Sequence, residues 1–267
     1  LDPERRAFAD ALRARSTRRA HRRQTWRWGL GLGVAAILVL AVGIGWRTWD
    51  PAQPEQDYAS VVGERRAVTL DDGSKLLLDT DSEVRVRYSR LRRNVVLERG
   101  RAQFTVAKAL DRPFVVHAGI ATVRAIGTQF QVSRQTDKVR VGLLEGVVEV
   151  TPSSNAPGGK RPAVKLLAGE QLSIDAHGKW REYALDRGVA EGWTRGELVF
   201  RETPLPQLVN EMNRYSRVKL QLGDPSLDSI RVNGMFYGGD QDSLVEALRQ
   251  VWSLHAERKG DEIIIRR

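Results

Sequence analysis

No cysteine occurs in the 267 residues. That excludes disulfide staples, thiolate metal sites and cysteine nucleophiles, so the folded parts rely on packed cores. Histidine is nearly as scarce. His21, His117, His177 and His255 are scattered, with no carboxylate or cysteine at ligand spacing, so no metal ligands are read. A G-x-S-x-G elbow, a Walker loop and a G-x-G-x-x-G following a strand are also missing. Glu98, Glu145, Glu149 and Glu170 each fall at an expected strand edge or turn, where a solvated charge is the default over a glycosidase pair. No catalytic and no cofactor-binding residue is read, and a binding or signalling role is expected ahead of catalysis.

Charge is missing in one long stretch. Residues 28–46, WGLGLGVAAILVLAVGIGW, carry none between Arg27 and Arg47. As a helix this run is about 28 Å long, close to the roughly 30 Å of a bilayer core. Trp26, Trp28, Trp46 and Trp49 stand at its two ends, where indoles favour the headgroup layer. Nine arginines against Asp2, Glu4 and Asp10 make the preceding segment strongly basic, which orients the N-terminus to the cytoplasm. We read one membrane span. The competing reading is a cleaved signal peptide, for which Gly43-Ile44-Gly45 offers a small-x-small site. The segment before it begins without methionine and is expected to be part of something longer. Its Phe8 and Leu12 share one face of a short helical pattern, which fits a partner-binding end and a solvated basic tether equally well. Six of the net ten positive charges lie here, so the basic balance is a topology signal and no direct nucleic-acid contact is expected.

After a proline-containing linker (47–57) the texture becomes that of short alternating runs broken by glycines. That predicts an all-β domain over 58–187, a sandwich, a roll or a short β-solenoid, with strand order left open. Asp71-Asp72-Gly73-Ser74 between two apolar runs predicts a hairpin, and a turn is expected at Arg99-Gly100 between two strands. Residues 188–267 read as a small α+β domain, β-α-β-β-α-β with a closing hairpin. Thr203 is expected to cap a helix burying Leu205, Leu208, Val209 and Met212. A second helix starts at Asp240 or Asp242 and buries Leu244, Leu248, Val251 and Trp252.

Six short motifs then fall in order over some 110 residues. They are Gly63-Glu64-Arg65-Arg66 running into Val68-Thr69-Leu70-Asp71-Asp72-Gly73-Ser74, Leu97-Glu98-Arg99-Gly100-Arg101-Ala102-Gln103-Phe104, Arg112-Pro113-Phe114, Ala125-Ile126-Gly127-Thr128-Gln129-Phe130, Leu144-Glu145-Gly146-Val147 and Ala168-Gly169-Glu170-Gln171. With them the chain resembles the FecR family of inner-membrane anti-sigma factors, the regulators of TonB-dependent cell-surface signalling. The stretch Trp193-Thr194-Arg195-Gly196-Glu197-Leu198-Val199-Phe200 is similar to the strand opening that family's C-terminal module, the short domain also found at the N-terminus of secretins and transducers.

The resemblance implies a relay. A cytoplasmic N-terminal segment, here containing Phe8 and Leu12, would hold an extracytoplasmic-function sigma factor. The periplasmic part would sense the signalling domain of a TonB-dependent outer-membrane transducer serving iron-siderophore uptake, and periplasmic or intramembrane proteases would release the cytoplasmic piece. Exposed strand edges accept partner strands, so Glu197, Val199, Arg231 and Asn233 are the expected transducer-binding edge. Asp72, Gly73, Gly100, Gly127, Phe130, Gly146, Trp193, Gly196 and Phe200 are expected to serve structure. The alternative from another class is a membrane-tethered periplasmic scaffold or ligand-binding protein. A secreted carbohydrate-active enzyme is a weaker third.

Overall fold

In the computed structural model the described residues are 54–267, apart from 154–155 and 158–160, together with Ala41 and Gly43. Among them no helix is long and apolar enough to cross a membrane. Phe8 and Leu12 lie outside the described residues, as does the span read over 28–46 but for Ala41 and Gly43.

Residues 54–267 are mostly β with a few helices. One strand organises the larger lobe. Strand β5 (Arg93–Thr105) is thirteen residues long, and its two halves belong to different sheets. Its first half pairs with β4 (Glu83–Tyr88) and, in parallel, with β6 (Phe114–Ala118). Its second half pairs with β3 (Lys75–Leu78) and β8 (Gln129–Gln135). The first sheet extends outward to β1 (Gln56–Ala59) on one side. On the other it runs through β7 (Ala121–Ala125) to β10 (Val147–Pro152) and β11 (Val164–Leu167). The second extends to β2 (Arg66–Thr69) and, through β9 (Lys138–Glu145), to β12 (Glu170–Asp175) and β13 (Trp180–Ala184).

The expected turn at Arg99-Gly100 is therefore a kink inside one strand. Gly100 has φ +86°, and the β4 register slips between Glu83 and Val84 opposite it. A side chain there would overlap Ser82 Oγ and backbone of Asp81 and Ser82, so glycine lets β5 bend and pass from sheet to sheet. The hairpin at Asp71–Ser74 forms, closed by Leu70 N donating to Ser74 O at 2.8 Å. Alternation places Leu97, Phe104, Phe114, Phe130, Val132, Val141 and Leu172 between the sheets, all fully buried. Phe104 stacks on Phe130 at 5.2 Å and tilts against Phe114 at 5.7 Å.

The smaller lobe opens with a helix, not a strand. Helix α1 (Arg187–Arg195) is N-capped by Asp186, whose side chain accepts from Val189 N, and ends at Gly196 with φ +90°. Trp193 therefore lies in its last turn, and only from Glu197 does the chain become β14 (Glu197–Pro204). The boundary drawn at 187/188 passes through this helix. Gly192 faces β14 so closely that a Cβ would stand 2.6 Å from Glu197 O. Helix α2 (Leu205–Asn213) follows directly. Thr203 does not cap it, since β14 runs on to Pro204.

Beyond α2 come β15 (Lys219–Leu222), a 3-10 turn (Pro225–Ser229) and β16 (Arg231–Tyr237). Helix α3 (Gln241–Trp252) is capped by Asp240. Leu244 and Leu248 are buried in it as expected, whereas Val251 is 66% exposed. The lobe closes with β17 (His255–Lys259) and β18 (Glu262–Arg266). β14 pairs with β16, and β18 lies between β17 and, in parallel, β15.

Candidate functional site

The second sheet turns one face inward to the β-lobe core and the other toward the smaller lobe. Leu76, Leu78, Ala102 and Phe104 take the inward positions. Alternation then forces Leu77, Arg101 and Gln103 onto the outer face. Leu77 packs against the smaller lobe's core. Gln131 Nε2 donates to Ala190 O of α1 at 2.7 Å and to Gln103 Oε1 at 2.8 Å. Arg187 Nη2 donates to Leu144 O, and Arg65 Nη1 to Thr194 O at 2.9 Å.

At the centre of this seam is a buried ionic cluster. Asp79, just past β3, is fully buried. Its carboxylate accepts from Arg101 Nε at 2.8 Å, from Tyr215 Oη at 2.8 and 2.9 Å, and from Arg214 Nη2 at 3.2 Å. Glu211, in α2, takes Arg214 Nη1 at 2.9 Å and Arg101 Nη2 at 3.1 Å. Arg101 also lies over the Trp193 ring, 4.7 Å from its centroid. Thr80 Oγ1 donates to Arg214 O at 2.9 Å and accepts from Gly63 N at 2.8 Å. One lobe thus supplies Asp79, Thr80 and Arg101, and the other Glu211, Arg214 and Tyr215.

Burial alone would lower the pKa of Arg101, but Asp79 and Glu211 outweigh it, so Arg101 is held above the ordinary arginine value. For Glu211 burial would favour protonation, yet Arg101, Arg214 and Arg140 hold the carboxyl below its usual range. Burial above all, with Asp79 and Glu211 adding to it against Arg101 and Arg214, raises the Tyr215 phenol. All three stay in the state that pairs. The cluster resembles no catalytic constellation, because its polar atoms are occupied by one another. Its chemistry is that of a latch.

Beside the latch is a cleft of about 1150 Å³ between the outer face of the second sheet and α1, β14 and α2. Seven cationic and four carboxylate side chains line it, with Trp193, Leu198, Val199 and Phe200 on its apolar part.

The residues singled out from sequence fall into three places. In the β lobe, Asp72 closes a second buried network, accepting from Arg93 Nη1 and Ser74 Oγ at 2.6 Å and from Tyr88 Oη at 3.0 Å. Burial opposes that ionisation, but the bonds from Ser74 and Arg93 hold the Asp72 carboxyl below its usual range. Gly73, Gly127 and Gly146 occupy positive-φ turns, and Phe130 is core. At the seam are Gly100, Trp193 and Gly196, and Phe200 is buried in the smaller lobe. On the β14–β16 pair, Arg231 and Asn233 are exposed, while Glu197 and Val199 are half-buried. Asn233 Oδ1 accepts from Glu202 N, Arg195 pairs with Glu197 at 3.0 Å, and Val199 packs against Gly192.

Sequence reasoning did not single out Asp79, Arg101, Glu211, Arg214 or Tyr215 as a group. The available signal was local. Leu78-Asp79-Thr80 puts a carboxylate directly after an apolar strand with no turn glycine beside it.

Among the described residues no group of three or more His, Cys, Asp or Glu is arranged to hold a metal ion. Residues 56–149 match the family model described as FecR protein, from β1 into β10. Two crystal structures of a candidate anti-sigma factor from Parabacteroides distasonis ATCC 8503, at 2.50 and 1.65 Å resolution, share the fold with a TM-score of 0.68 and 22% identity. The similarity spans 79% of this chain and 98% and 99% of those chains. No curated protein matches the chain. The kinked β5, the Asp72 hairpin and the glycine turns at Gly73, Gly127 and Gly146 all lie inside the segment that matches the FecR model.

Proposed function

We propose that this chain is an anti-sigma regulator that passes a signal across the inner membrane. The observation that carries the reading is the FecR match over 56–149, joined to a fold shared with a candidate anti-sigma factor over nearly all of that protein's chain. In this reading residues 28–46 span the membrane once, with the N-terminus cytoplasmic and both lobes periplasmic. The basic segment with Phe8 and Leu12 contacts an extracytoplasmic-function sigma factor. The signalling domain of a TonB-dependent transducer, serving iron-siderophore uptake, adds a strand to the β14–β16 pair. The side of β16 turned away from β14 suits this best, because Asn233, Gly234, Met235 and Tyr237 on that strand are all exposed. The latch supports a relay because force or order imposed on the smaller lobe reaches the β lobe through bonded groups, not solvated ones.

The test is a pull-down from detergent-solubilised envelope with a tag at the N-terminus, read by mass spectrometry. Recovery of a small sigma factor, lost when Phe8 and Leu12 are both changed to Asp, is the expected result. Recovery of envelope proteins alone would replace this reading with that of a tethered scaffold or ligand-binding protein.

A further inference from the structure

Two of the cleft's cations, Lys138 and Arg140, differ from the other five. Arg99 is paired with Asp81 and Glu83, and Arg134 with Glu98 and Leu97 O. Arg101 and Arg214 are held in the latch. Lys219 Nζ donates to Asn213 O and Ser216 O. Arg140 lines the same cleft, half-buried on β9, and its guanidinium makes no hydrogen bond or ion pair among the described residues. Burial above all, with Arg101 and Arg214 adding repulsion, holds its pKa below the ordinary arginine value, against the pull of Glu211 and Asp137.

The strand leaves Arg140 no other place. Val139 and Val141 are buried between the sheets, and β9 is fixed on both sides, with Arg140 opposite Ser133 of β8 and Ser173 of β12. A one-residue slip would expose both valines, so the guanidinium is pinned to the cleft face. A planar fork of five donors, pinned beside two other arginines with nothing to donate to, is complementary to a planar two-oxygen acceptor.

We propose that the cleft is a carboxylate-binding site with Arg140 as its anchor, and that its occupant is an extended acidic peptide. The reading does not depend on the sigma-factor assignment. Two features favour a peptide over a metabolite. The cleft volume, about 1150 Å³, exceeds the roughly 300–1,000 Å³ typical of small-molecule sites. Its lining also alternates chemistry, with Gln207 and Asn210 of α2 supplying amides for a peptide backbone and Val189 and Phe200 supplying apolar walls. Seven cations against four carboxylates leave the lining positive, while the carboxylates at Asp81, Glu98, Asp137 and Glu211 disfavour a multiply charged anion such as phosphate.

The experiment is titration calorimetry on the full chain in detergent. Its probes are an acetylated, amidated peptide of alternating glutamate and valine, the same peptide with glutamine for glutamate, and free glutarate. The glutamate peptide should bind. Arg140→Gln should weaken it about tenfold or more, Arg140→Lys should weaken it less, and the glutamine peptide should bind about tenfold more weakly than its acidic counterpart. Glutarate binding with the same Arg140→Gln dependence, and no peptide binding, would keep the carboxylate site and make a free dicarboxylate its source. No binding of either probe, or binding indifferent to Arg140→Gln, overturns the proposal. A melting curve without probe is the second readout. Arg140→Gln breaks no bond and removes the attraction to Glu211 and Asp137 together with the repulsion from Arg101 and Arg214 and the cost of burying the charge, so its midpoint should stay within a few degrees of the parent. A fall of several degrees would make Arg140 a fold residue and also overturn the proposal.

Discussion

The core between the two large sheets and the seam between the two lobes are both buried, yet they are built from opposite materials. Between the sheets, Phe104, Phe114 and Phe130 pack ring against ring amid aliphatic side chains. Across the seam, a carboxylate with no exposure is held by two arginines and a tyrosine. Apolar contact is non-directional and tolerates small shifts, whereas the Asp79 cluster fixes one orientation, because each donor has a single place to reach. The larger lobe is therefore held by area and the seam by geometry. A lobe needs only to stay folded, while a seam that transmits must also keep its register.

The sharpest way to break this comparison is to truncate each material and then attempt a rescue. Phe104→Ala and Asp79→Ala should each cost about 3–5 kcal/mol, measured as urea midpoints of the full chain. They should separate on the second substitution. Asp79→Leu combined with Arg101→Met should recover most of the loss at the seam, as replacing a whole buried ion pair often does, while no neighbouring change refills the Phe104 cavity. Failure of that double variant to recover would mean the seam needs its charges for stability as well as for orientation.

Gly100→Ala comes next. Positive φ and the overlap with Ser82 should cost about 1–3 kcal/mol, and because β5 serves both sheets the change should loosen core and seam together. If hydrogen exchange of β3 and β8 amides stays unchanged in this variant, the two halves of the strand are independent.

Acid should distinguish the regions more gently. Glu211 has its folded pKa held below the ordinary 4.5. Its stabilising contribution is therefore fully present above that pH and is lost as pH falls through the folded value. Glu211→Gln should flatten this part of the acid limb, seen in urea midpoints from about pH 7 to about pH 3. An acid limb identical to that of the parent would place the titrating groups elsewhere, with Asp72, shifted in the same direction, the first to try. The smallest effect belongs to the rim. Arg65→Ala removes a part-exposed bond to the last turn of α1 and should cost under about 1 kcal/mol.

What was legible in the sequence follows the same division. Alternation displayed the strands of the β lobe, Asp71-Asp72-Gly73-Ser74 its first hairpin, and the spacing of Leu205, Leu208, Val209 and Met212 the helix α2. These are local regularities. The kink at Gly100 was hidden because a glycine between two apolar runs reads as a turn whether or not the chain reverses. Helix α1 was hidden because nine residues holding Gly188 and Gly192 have weak helical propensity. It forms because Asp186 caps it and Gly192 lets it sit against β14. The latch was illegible for a deeper reason. Asp79 and Tyr215 are 136 residues apart, and no periodicity within either segment refers to the other. Arg140 was equally silent, since a charged residue alternating with valines reads as solvent-facing until the second lobe covers that face.

Strand β5 has one more consequence, for the order in which the β lobe can fold. Its partners come from both directions along the chain, β3 and β4 before it and β6 and β8 after it. The first sheet has no complete hydrogen-bonded centre until Phe114–Ala118 has joined, and the second none until Gln129–Gln135 has. An emerging chain that stops at Thr105 holds a strand with both outer partners still missing, a bare template for pairing with another chain. Selection on this lobe would then act on the interval between those two points as well as on the finished fold, favouring synthesis that brings β6 and β8 to β5 before a stranger does.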